Sequence, residues 1–146
     1  SLNQWYRDNI AQDFPEIRTE ISTLLQIESE LQEIVQLVGS DALPVDQQLT
    51  LEVARMIREY FLQQNGFHDV DASCEINLVY KMAKAILTFQ TAAKAAMAAG
   101  AQLEDITGVP SRSALMRGKF EASYVDDIEE MVATMVKEIE ATVEDN

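Results

Sequence analysis

His68, Asp69, Asp71 and Cys74 fall within seven residues and bring the one His and one Cys of this 146-residue chain beside two carboxylates. The stretch from Asp69 begins like a calcium loop, with oxygen donors at its first and third positions. Its sixth position is Cys74 where glycine is required, and its twelfth is Tyr80 where a bidentate glutamate is required. A mixed site of His68, Asp69, Asp71 and Cys74 stays chemically open. The chain has one His and one Cys, however, and the plainer reading is loop polarity beside a core thiol. A Cys74–His68 nucleophilic pair lacks a third residue at a recognisable spacing to orient it. A phosphate-binding loop needs Gly, four residues, then Gly-Lys-Ser/Thr. The only Gly-Lys pair, Gly118-Lys119, is followed by Phe120 and preceded five positions earlier by Ser113, so triphosphate binding by that route is excluded. Arg112, Arg117 and Lys119 form a small basic patch, for which pairing with the chain's own carboxylates is favoured over anion binding.

Helices position these residues. Strand periodicity is nearly absent, and apolar side chains recur at spacings of three and four. A first helix is expected over Leu2–Ala11. Asp13-Phe14-Pro15 starts a second, with Asp13 as its cap and Pro15 in the first turn, where its missing N–H costs nothing. That helix places Ile17, Ile21, Leu24, Leu31, Ile34, Val35 and Val38 on one side and stops at Gly39. After an exposed turn, a third from Asp46 to Gln64 is expected to bury Leu49, Val53, Met56, Ile57, Tyr60 and Phe61. Asn65-Gly66 breaks it. Ser73 is expected to cap a long helix to Ala99, whose alanine-rich end permits close packing against a neighbour. Gly108-Val109-Pro110-Ser111 interrupts the next segment, with a short helical piece on either side. Ser123–Thr142 forms an amphipathic last helix with Ile128, Met131, Val132, Met135, Val136 and Ile139 on its stripe. Glu138 and Glu140 oppose its dipole, so its end is expected to fray. The fold class is all-α, a bundle of about five to six helices with a helix–turn–helix tip.

Composition narrows the function classes. With 25 acidic against 11 basic side chains the net charge is −14, which opposes phosphate backbones and anionic lipid. No apolar run is long enough to span a bilayer. A single cysteine cannot form an internal disulfide, in keeping with a reducing cytoplasm. Ser1-Leu2-Asn3-Gln4-Trp5 lacks both a basic and an apolar leader segment, so no secretory signal is expected. The missing initiator methionine points to a processed chain or a fragment. Trp5 and Tyr6 are expected to pack on the bundle or on an upstream domain.

The run Glu33-Ile34-Val35-Gln36-Leu37-Val38-Gly39-Ser40-Asp41-Ala42-Leu43-Pro44 and its continuation QQLTLEVARMIREYFLQQNGF, residues 47–67, closely resemble the C-terminal helical domain of the catalytic A subunit of archaeal and vacuolar-type rotary ATPases. Trp5-Tyr6, Asp13–Arg18 and the helix from Tyr80 to Gly100 extend the resemblance over nearly all of the chain; Ala101–Phe120 matches least. The resemblance implies a single helical domain over residues 1–146 that follows a separate domain holding ATP or ADP with magnesium. No cofactor or catalytic residue is then expected in this chain. It implies contact with central-stalk subunits and neighbouring B subunits, in a cytoplasmic sector peripheral to the membrane, with no direct membrane or nucleic-acid contact. The rotor-facing tip would be Gly39–Gln47, with Ser40, Asp41, Ala42, Leu43, Pro44 and Asp46 as contact residues. The related F-type tip is strongly acidic. This one keeps Asp41 and Asp46, so contact should be steric more than electrostatic. Phe67, with Gln64 and Asn65 as lesser candidates, would lie beside the adenine ring. Stacking there is worth roughly 1–3 kcal/mol, too little for tight binding alone. A stand-alone helical adaptor is the competing reading, and a small hydrolase built on Cys74 and His68 ranks last.

Overall fold

The computed structural model of the chain describes residues 1–64, 72–117 and 124–144, with side chains at all of these except 62–64, 72–75, 124 and 125. Seven α-helices and one 3-10 turn account for nearly all the described residues, and no strand occurs among them. They are α1 (Leu2–Asn9), α2 (Phe14–Val38), the 3-10 turn Ser40–Ala42, α3 (Val45–Gln64), α4 (Ala72–Ala98), α5 (Leu103–Thr107), α6 (Pro110–Arg117) and α7 (Tyr124–Glu144). The all-α bundle is as the periodicity requires, and the short α5 and α6 flank the break at Gly108–Val109. The last helix runs two residues past Thr142, to Glu144.

One continuous core joins α2, α3, α4, α5, α6 and α7. Val53, Ile57, Met82, Phe89, Ile106, Leu115, Met135 and Ile139 are fully buried within it. The small side chains late in α4, Ala93 and Ala96, let α7 approach closely, as the sequence suggests. Three expected core positions are not core. Phe61 is exposed, touching Tyr60 edge-on, and on α2 burial ends at Leu31, leaving Ile34 and Val38 in solvent. Trp5 is also exposed, its ring edge-on to that of Tyr6, while Tyr6 packs on Phe14 and accepts the Arg18 guanidinium over its ring.

Long-range polar contacts fix the helices relative to one another. Asp13 makes no side-chain capping bond at α2. Its carboxylate instead accepts from the Tyr80 hydroxyl at 2.7 Å and the Lys84 ammonium at 3.3 Å, both on α4. Local sequence suggests a cap because it shows only local donors; these donors lie 67 and 71 residues away. Ser73 is likewise not a cap, because α4 already begins at Ala72. Glu138 has a role that the dipole argument overlooks. Its two carboxylate oxygens accept from the Ser111 backbone N–H (2.9 Å) and hydroxyl (2.6 Å), holding a negative charge at the start of α6. Arg112 pairs internally as anticipated, donating to Glu52 on α3 at 2.8 Å and to the Thr107 carbonyl at 3.2 Å. Arg117 is exposed, and Lys119 lies outside the described residues.

The Asp13 contact makes a pH prediction. Burial pushes its carboxyl up, but the bonds from Tyr80 and Lys84 outweigh that and hold its pKa below the ordinary carboxylate value. A native pKa below the unfolded one adds stability above about pH 4, and that stability is lost as pH falls through the native value. Asp13→Asn should therefore cost at most about 1 kcal/mol at neutral pH, since the pair is half-exposed. The gap in urea midpoint between wild type and variant should stay flat above about pH 5 and close below about pH 4. A gap that persists in acid would show that Asp13 acts through packing and not through charge.

Candidate functional site

Among the described residues, the turn between α2 and α3 carries an outward-facing apolar surface. α2 has 25 residues, about 37 Å at 1.5 Å per residue, and its last two turns extend past the core. Ile34, Leu37 and Val38 follow one another at helical neighbour spacing, so they share a face. Leu37 is 85% exposed, and Val45, across the turn, is 50% exposed. An unshielded apolar ridge therefore crowns the helix–turn–helix.

The turn itself is closed by its own backbone. Gly39 sits at φ 86° and ψ 159°, a conformation open essentially only to glycine, and its N–H donates to the Val35 carbonyl at 2.8 Å. Nothing stands within 4 Å of where a Cβ would be, so backbone conformation and not space selects the glycine. Leu43 N–H then bonds to Ser40 O (3.1 Å), and Gln47 and Gln48 N–H both bond to Pro44 O (3.0 Å each). The Gln48 side chain donates back to the Leu43 carbonyl at 2.8 Å. With these groups paired the turn has few ways to rearrange.

Of the six tip residues named from the sequence, Ser40, Asp41, Ala42, Pro44 and Asp46 are exposed. Leu43 is 5% exposed and plugs the turn from beneath, so its side chain supports the surface without forming it. The structure adds Ile34, Leu37, Val38 and Val45 to the outward face. The spacing of Ile34 and Val38 is legible in the sequence, but there it implies core. Asp41 and Asp46 make no ion pair among the described residues.

Gln64 ends α3, with its side chain outside the described residues; Asn65 and Phe67 lie outside them altogether. So do His68, Asp69, Asp71 and the Gly118-Lys119-Phe120 stretch, along with the Cys74 side chain. Among the described residues no three His, Cys, Asp or Glu side chains are placed to hold a metal ion. No helix among them is long and apolar enough to cross a membrane.

Comparison with known proteins places this architecture. Residues 3–107 match the family model described as the C-terminal domain of V and A type ATP synthase. The A subunit of the A-type ATP synthase of Methanosarcina barkeri is 48% identical over 138 residues, 94% of this chain and 24% of the relative. The Natronomonas pharaonis A subunit gives the same identity and coverage, and that of Methanosarcina mazei is 46% identical over 140 residues. The chain thus spans about a quarter of the length of these relatives. Family match and relatives agree: the chain belongs to the C-terminal domain family of V- and A-type ATP synthases, in the form found in the A subunit.

Proposed function

We propose that this domain is the lever of a rotary ATP synthase, carrying motion between a preceding nucleotide-binding domain and the central rotor shaft. The observation that carries this reading is the exposed apolar ridge on a hydrogen-bonded turn at the end of a long, core-anchored helix. Such an element transmits force because its backbone is paired and its base is packed. Its surface suits contact through shape and apolar area, with Asp41 and Asp46 as the only full charges on the turn.

Catalysis is assigned to the preceding domain, which would hold ATP or ADP with magnesium. Nucleotide closing on that domain would swing the bundle, and Ser40, Asp41, Ala42, Pro44 and Asp46, with Leu37, Val38 and Val45, would bear on the shaft. Synthesis would run the same coupling backwards. Phe67, with Gln64 and Asn65, is proposed to border the adenine ring, adding base contact without phosphate contact. Central-stalk subunits and neighbouring B subunits are the proposed partners, in the cytoplasmic, membrane-peripheral sector of the assembly. That assembly would move protons or sodium ions.

The test uses the assembled ATPase carrying Leu37→Ser, Val38→Ser and Val45→Ser together. These side chains are already in solvent, so the bundle should fold unchanged. ATP hydrolysis should continue while ions moved per ATP fall several-fold, and replacement of the whole Gly39–Gln47 turn should uncouple more completely. An unchanged ratio of transport to hydrolysis in both variants would refute the lever assignment of this tip.

A further inference from the structure

α4 and α7 run side by side in the same direction. Lys81 ion-pairs with Glu129 at 3.3 Å toward one end. Farther along both helices, a groove of about 470 Å³ opens between Ala92 and Ala95 of α4 and Val136 and Val143 of α7. Parallel packing brings the C-terminal ends of both helices, each with its partial negative charge, to the same end of the molecule. Neither helix has a basic residue in its last turn. Glu140 and Glu144 add two full charges on the groove's edge, and no cation pairs with either among the described residues. Lys94 and Lys137, on the same helices, do not line it. Half of the groove is built by α7, beyond the residues 3–107 matched to the family.

An apolar floor with an uncompensated negative rim selects its occupant by chemistry. We propose that this groove docks a cationic amphipathic helix of a partner protein, with apolar side chains seated between Ala95 and Val143 and Lys or Arg side chains over Glu140 and Glu144. A second copy of this chain is a poor occupant, since two molecules of net charge −14 would bring acidic rims together. A nucleic acid is excluded by the same sign. The groove and the tip lie on different helix pairs, so this proposal stands independently of the lever.

The test titrates the 146-residue chain calorimetrically with a synthetic amphipathic helix of leucine and lysine, and with its leucine–glutamate counterpart. Saturable one-to-one binding of the lysine peptide alone is expected. Glu140→Lys with Glu144→Lys should weaken it about tenfold, whereas the same charge change at the remote, exposed Glu20 and Glu30 should alter it less than about twofold. Ala95→Trp, which fills the groove without changing charge, should also weaken it about tenfold. Circular dichroism of each variant should match wild type, because all these positions are exposed. Equal weakening by both charge-reversed pairs would reveal diffuse attraction and overturn the proposal. So would the absence of saturable binding, equal binding of the glutamate peptide, or self-association abolished by Ala95→Trp.

Discussion

Phe89→Ala should cost about 3–5 kcal/mol, a large part of the roughly 5–15 kcal/mol that holds a typical domain together. Phe89 is fully buried in α4, at the level where α3, α4 and α6 meet. One face of its ring carries the Arg112 guanidinium, with Cζ 5.3 Å from the ring centre. Arg112 is in turn committed to Glu52 and to the Thr107 carbonyl, and its Nε is buried without a partner in the structure. Removing the ring thus opens a cavity and takes away the surface on which a part-buried cation rests. Phe89→Leu keeps most of the volume but not the ring face, and should cost about 1.5–3 kcal/mol. Urea unfolding with unchanged slope would measure both. A cost below about 1 kcal/mol for Phe89→Ala would mean that Arg112 and its neighbours collapse into the space, and that the core there is not close-packed.

How far the sequence could be read depends on the range of the interaction involved. Apolar stripes, the stop at Gly39, the break near Gly108 and the open turn at the tip are local patterns, and each is found in place. The stripe of α2 shows where such reading ends. Ile34, Val35 and Val38 have the spacing of buried residues, but periodicity reports that a face is apolar and not what covers it. α3 begins to bury side chains only at Leu49, so among the described residues the outer face at the top of α2, with Ile34 and Val38, is left uncovered. Positions that the spacing assigns to the core thereby become the most distinctive part of the candidate site. Polar contacts fail in the opposite sense. Asp13 and Glu138 look like cap and frayed-end residues in local sequence, yet each is used by another helix. Arg112 is legible as an internally paired cation; that its partner is Glu52, 60 residues earlier, is not.

Arg58→Ala and Glu28→Leu break the same ion pair but should have opposite consequences. The pair joins α2 to α3 below the tip: Arg58 Nε and Nη2 both donate to Glu28 Oε1, at 2.6 and 2.5 Å. The two ends are unequally placed, since the Glu28 side chain is 8% exposed and that of Arg58 is 52% exposed. Removing Arg58 strands a nearly buried carboxylate without its partner, at a cost of about 2–3 kcal/mol; half-exposure of the guanidinium keeps this below the range for fully buried pairs. Removing Glu28 in favour of leucine eliminates the group that had to be desolvated and releases Arg58 to water, so stability should change by less than about 1 kcal/mol, in either direction. Once Glu28 is leucine, Arg58→Ala should add almost nothing, which makes the double variant the decisive measurement. If Glu28→Leu proved as costly as Arg58→Ala, the pair itself would be a net source of stability. If only Arg58→Ala is costly, the pair is better understood as fixing the register of α3 against α2, a property that the two arms beneath the proposed force-bearing tip would need more than added stability.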